Sequence, residues 1–169
     1  MEHLVDLSLM RLNLADEVAM SKWRSHKAIE DPSREQALLM QVREEASMHR
    51  VSADFAASFF MDQIAASKSV QSGLIDQWHQ EGGSGKEHMP SLDMLRSRLD
   101  GLTQRLLNAL GDIEPLRGTD ACRVQLKNSL AAVRQRNALD ALHASGLEQA
   151  LRGVCTGGMD SAAQEQEKS

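Results

Sequence analysis

The sequence has no tyrosine, and its 169 residues include only two tryptophans, three phenylalanines, three prolines and two cysteines. So few aromatics leave a core of Leu, Ala and Met, and such a composition reads as helical, with no substantial sheet. No apolar run approaches the roughly 20 residues a membrane span needs, so a soluble chain with no membrane partner is expected. No secretory leader is visible, since Met1 runs directly into a charged amphipathic segment; a mature chain given an initiator Met has the same appearance. A net charge of -5 and a pI near 5.7 provide no basic footprint, which argues against nucleic acid as a partner. They leave room for a small anion, because a local cationic pocket can sit inside an acidic protein.

Cys122 and Cys155 are unaccompanied by CxxC or HxxxH spacing, so no metal ligation is expected of them. A bridge between them would close a loop of about 34 residues, worth about 3 to 4 kcal/mol in the chain-entropy model. Two buried free thiols fit the same spacing. The Gly-rich stretch EGGSGKEHMP lacks the Walker GK[ST] ending and a preceding strand, so it is a connector and not a phosphate loop.

The length suits one domain, placed at 1–156 with the Gly-rich connector at 80–90 and a disordered tail at 157–169, where apolar periodicity is lost. Hydrophobic spacing and caps predict six helices. The first runs from near His3 to Lys27. The second starts at Pro32 with Asp31 as N-cap and reaches His49, and Ser52 caps a third that extends to His79. A fourth from Ser91 carries the line Leu92, Leu95, Leu99, Leu102, Leu106, Leu110 and stops at Gly111. Thr119 or Asp120 caps a fifth to about Gln135, and the last spans Leu139 to Leu151.

Cations interrupt this pattern. Leu4, Leu7, Leu14 and Val18 follow the spacing of a buried helical stripe, and Arg11 and Lys22 fall on the same line, their Cα atoms about 16 Å apart. Two such side chains could snorkel. On the third helix, however, the line Phe60, Ile64, Ser67, Gln71, Leu74, Trp78 puts two hydrogen-bonding groups inside an apolar stripe, and Arg96 lies beside the Leu line of the fourth. Buried polar groups need partners, and a polar anionic ligand would supply them.

The stretches RLNLADEVAMSKW, I-E-D-P-x-R-E and DQIAASKSVQ, in that order, resemble the all-helical, type II class of chorismate mutases. Arg96 and the distant cysteine pair make the chain similar to the exported, periplasmic or secreted subclass. The resemblance implies an all-α single-domain bundle that converts chorismate to prephenate by an intramolecular Claisen rearrangement, on the way to phenylalanine and tyrosine, without a cofactor or metal. It implies that Arg11 and Arg96 grip the two carboxylates and that Lys22 and Gln71 donate to the ether oxygen. Glu35, with the backbone near Asp31, would bind the ring hydroxyl, and Arg34 and Ser67 would line the pocket. It further implies a Cys122–Cys155 disulfide, a periplasmic or secreted location, and a homodimer with each active site inside one chain.

Two other readings compete. One is a non-enzymatic periplasmic interaction module in which Arg11, Asp31, Arg34 and Glu35 pair among themselves as structural salt bridges. The other is a carboxylate metal site at Glu45 and His49, which lacks the further carboxylates such sites require. His3, His26, His79, His88 and His143 show no converging spacing and are expected on the surface.

Overall fold

The computed structural model describes residues 1–83 and 91–157. Among them are six α-helices and no strand: α1 Glu2–Ser25, α2 Pro32–Glu45, α3 Ala53–Glu81, α4 Leu92–Ile113, α5 Asp120–Arg136 and α6 Ala141–Leu151. Short 3-10 turns, Ala46–His49 and Glu114–Leu116, extend α2 and α4. The expected all-α bundle is what forms. Residues 84–90 of the connector, including His88, and 158–169 of the tail lie outside the described residues.

The helix starts follow local chemistry. Asp31, Ser52, Ser91, Thr119 and Asp140 each accept a backbone N–H from the first turn of the helix they precede, satisfying a donor that has no partner within the helix. At the end of α1, His26 takes the left-handed conformation (φ 52°) and Lys27 N–H reaches back 3.0 Å to the Lys22 carbonyl. The chain then turns into 27–31 and enters α2 at Pro32.

The central element is α1, which packs against α3, α4, α5 and α6. It therefore buries more than one stripe: Val5, Leu9 and Leu12 are as enclosed as Leu4, Leu7 and Leu14, while Val18 stays half-buried. Phe59, Phe60, Leu95, Leu106, Leu107, Leu110, Leu147 and Leu151 complete the core. Leu102 belongs to it too, Leu99 packs at its edge, and the side chain of Leu92 is outside the described set.

The expected stop of α4 at Gly111 is not found, because the helix continues to Ile113. Gly111 serves a different purpose. A Cβ there would stand 2.1 Å from the backbone oxygen of His49, so only glycine lets α4 approach the end of α2. Similarly, a Cβ on Gly146 would meet Val70 at 2.8 Å and Leu12 at 3.2 Å, where α6 rests on α3 and α1.

Two devices fasten the C-terminal third. Cys122 and Cys155 form a disulfide (Cα–Cα 5.7 Å) from the first turn of α5 to the segment after α6. Next to it, Arg117 bonds Glu114 and the Thr156 carbonyl while its guanidinium lies 3.3 Å over the Phe55 ring. The second device corrects an expectation about histidine. His143 is not a surface residue: its side chain is 12 % exposed, with Nε2 2.9 Å from Asp16 on α1 and Nδ1 2.8 Å from Asp140. Asp140 is the N-cap three residues before His143, but Asp16 is distant in sequence, and only α6 folding onto α1 places the imidazole between the two acids. His3, His26 and His79 are exposed as expected.

Candidate active site

One end of α1, the start of α2, the middle of α3 and the start of α4 enclose a cavity of about 460 Å³. Leu14, Val18, Ile64, Leu95 and Leu99 form its apolar walls. Seven cations line it, Arg11, Lys22, Arg24, Lys27, Arg34, Lys68 and Arg96, against two carboxylates, Asp31 and Glu35. In a chain of net charge -5, that excess of positive charge marks a receptor for an anion. A larger groove of about 770 Å³ runs over α5 and α6. Its Arg123, Arg134 and Arg152 are already paired with Asp120, Glu148 and Asp62, which makes it the poorer anion site.

Arg11 is 7 % exposed. Its Nη1 donates to the Gln63 carbonyl at 3.4 Å, its guanidinium carbon lies 6.0 Å from the centre of the Phe60 ring, and its Nε is buried without a partner. Burial, with Arg34 nearby, lowers its pKa to about 10. A buried cation whose neighbouring charge is another cation is poorly compensated from within the protein. This geometry is the opposite of the structural salt-bridge network considered from sequence: Asp31 caps α2 by accepting from Arg34 N–H at 3.3 Å, and Glu35 pairs with Lys68 at 3.1 Å.

Lys22 donates to the Ile29 carbonyl, closing the turn before α2 over the pocket. Burial lowers its pKa; Asp31 and Glu35 oppose the shift, and Lys68 and Arg34 reinforce it. Those four groups therefore stand around its ammonium. Ser67 and Gln71 meet as their spacing on α3 requires, Gln71 Nε2 lying 3.0 Å from Ser67 Oγ, while Gln71 Oε1 is buried with no partner. With the amide turned over, Ser67 donates to Oε1 and a buried NH2 faces the site in need of an acceptor. Either way the amide has unfulfilled capacity. Arg96 lines the rim but turns to Asp93 at 3.4 Å and is half exposed.

All eight pocket residues expected from sequence thus line one cavity. Lys68, Arg24 and Lys27 were missed. For Lys68 a signal existed, since Ile64, Lys68 and Gln71 follow the four-and-three spacing of one helical face. Glu45 and His49 are engaged by Gln41, Gln104 and Asn108. Among the described residues, no group of three or more His, Cys, Asp or Glu converges as a metal site.

Fold and pocket together define an all-helical protein whose cavity, lined by seven cations and the Gln71 amide, has the charge to receive a small polyanion. The sequence matches the family model for type II chorismate mutase over residues 2–72. It is 32% identical over 152 residues to the secreted chorismate mutase of Mycolicibacterium smegmatis, covering 90% of this chain and 84% of the relative. The crystal structure of chorismate mutase from Burkholderia thailandensis superimposes with a TM-score of 0.87 at 39% identity, over 91% of this chain and 98% of that one. That from Burkholderia phymatum gives 0.88 at 31%, over 91% and 94%. The chain belongs to the chorismate mutase family, and is an isomerase.

Proposed function

We propose that the cavity binds chorismate as a dianion and rearranges it to prephenate, with Lys22 and Gln71 donating to the ether oxygen as its bond to carbon breaks. No nucleophile takes part. The chain's role is to hold a flexible molecule in its reactive chair form and to stabilise charge that develops only in the transition state. Arg11 takes one carboxylate with its guanidinium fork, and Arg96, swung from Asp93, takes the other. Arg34 and Ser67 line the same region. Glu35 and the backbone near Asp31 receive the ring hydroxyl.

Lys22 need not release Ile29 to act, because an ammonium has three donors and the carbonyl uses one. The observation that carries the reading is the buried, uncompensated Arg11 at the floor of a cavity with seven cations and two carboxylates. A dianion repairs that imbalance, and its isomerisation requires nothing the lining lacks. The non-enzymatic alternative offers no use for the unpaired capacity of Arg11 and Gln71.

Two further proposals follow. The chain works in the periplasm or outside the cell, supported by the disulfide, which such compartments preserve, and by relatives from Mycolicibacterium smegmatis and Mycobacterium tuberculosis that are named secreted. It forms a homodimer whose sites function separately, a reading of the sites' independence that rests on the eight expected pocket residues already meeting within a single chain. The deciding experiment is loss of chorismate absorbance on adding purified protein, with Lys22→Ala as control. Turnover by the native chain, reduced roughly 10²- to 10³-fold in the variant, is expected by analogy with oxyanion donors. A native chain that consumes no chorismate would refute the reading.

A further inference from the structure

Lys68, among the cations lining the cavity, has two carboxylate partners. Its Nζ lies 3.1 Å from Glu35 Oε2 and 3.9 Å from Glu30 Oε1, so it bridges two carboxylates on opposite sides of Asp31 and Pro32. The other oxygen of Glu35, Oε1, accepts the Asp31 N–H at 3.4 Å. Glu35 is thereby held from both sides, by a backbone donor of the turn and by an ammonium carried on α3 one residue beyond Ser67. Lys68 and Glu35 are about equally half-buried, at 30% and 27% side-chain exposure, and both line the cavity.

A carboxylate is an awkward group to place against a dianion. Its lone pairs are needed to accept a hydroxyl, but its charge repels the carboxylates of the same ligand. An ammonium bonded to it offsets much of the repulsion and leaves further lone pairs free to accept. We infer that Lys68 is a positioning residue for the reaction, holding Glu35 aimed into the cavity and cancelling its charge so that the site can accept a hydroxyl and two carboxylates together. This rests on the reading of Glu35 as the acceptor for the substrate hydroxyl. Lys68 itself need not touch the substrate, and its bond to Glu30 also ties the turn before α2 to α3.

The consequence is a specific dependence of Lys68 on Glu35. Lys68→Met leaves a bare carboxylate in the pocket, and KM should rise about tenfold, the effect of one charge-assisted bond, while kcat changes less than about threefold. Lys68→Arg, which restores the charge and the donor, should recover most of the loss. In a Glu35→Gln background there is no charge left to cancel, so adding Lys68→Met should alter KM by less than about twofold. A structural role for Lys68 would not be erased by that second change. Steady-state kinetics of the four variants, with melting temperatures to verify folding and Lys68→Gln in place of a poorly folded Met variant, make the test. An undiminished KM effect in the Glu35→Gln background, or no KM effect in Lys68→Met, overturns the inference. If the native chain turns over chorismate and Lys22→Ala does not, such a result removes the role of Lys68 alone; if the native chain is inactive, the reading of the reaction itself has failed.

Discussion

Replacing His143 by Asn should destabilise the protein near neutral pH and have little effect in strong alkali. The imidazole is held between Asp16 and Asp140, and these bonds raise its pKa from 6.5 to about 9 against the opposing effect of burial. A raised pKa means that folding favours the protonated form. The stabilisation is complete below the unfolded value near 6.5 and disappears as pH rises through about 9. At about 1.36 kcal/mol per pH unit the full shift corresponds to roughly 3.4 kcal/mol. Asp140 is 65% exposed, so water screens that arm and about 1.5 to 2 kcal/mol is the figure to expect. On the acid side the partners set the limit. The pKa of Asp140 is lowered, chiefly by the His143 backbone N–H, so its contribution is present above the ordinary carboxylate range and lost as pH falls through the depressed value. For a chain of this size, 2 kcal/mol is roughly 4 to 8 °C in melting temperature. Thermal unfolding of native and His143→Asn protein at pH 6.5 and pH 10.5 should show that gap at the lower pH and most of it gone at the higher. An equal gap at both values would mean that His143 acts by packing and not by charge.

Within the site, if Arg11 positions the substrate and Lys22 meets charge formed in the transition state, as proposed, Arg11→Ala should mainly raise KM and Lys22→Ala mainly lower kcat; steady-state kinetics showing the reverse would refute the division. Because Gln71 donates without titrating and Arg11, with a pKa of about 10, stays charged, kcat/KM should be nearly flat from about pH 5 to 8. It should decline beyond as Lys22, with its lowered pKa, loses its proton; a steep fall before pH 8 counts against Gln71 as donor. Reducing the Cys122–Cys155 bridge should cost about 3 to 4 kcal/mol on chain entropy, read from denaturant unfolding with and without reductant, and alkylation should change the mass only after reduction. A mixed dimer with one Arg96→Ala subunit should keep about half its activity, whereas near-total loss would show a shared site.

The pieces of the fold that follow from short-range chemistry were readable in sequence: capping residues, Pro32 at a helix start, and the Leu line of α4. What could not be read depends on which helix lies against which. Gly111 looks like a helix stop until His49 is known to press on it. His143 looks like a surface residue until α6 lies on α1. The stripe on α1 looks single because nothing in its own periodicity says that four helices surround it. The candidate cavity was legible for a related reason, in that Arg11, Lys22, Ser67 and Gln71, which line it, break an apolar pattern and so announce themselves. Lys68 gives a weaker signal, sharing a helical face with Ile64 and Gln71. A lysine on a helix is ordinary, and it is its place between Glu30 and Glu35 that gives it significance.

The cations lining the cavity also bear on how turnover ends. Rearranging a molecule into its isomer leaves its charge unchanged, so a lining that draws in one dianion holds the other with comparable strength. Electrostatic attraction alone therefore gives such an enzyme no direction and no means of letting go. On the proposed roles of Arg11 and Arg96, emptying the pocket would depend on the change in shape, as the two carboxylates move relative to those arginines, and on the readiness of the lining to satisfy itself afterwards. The bond of Arg96 to Asp93 is such a self-satisfied state, and on the proposed role of Arg96 it is an internal competitor that would help to expel the product.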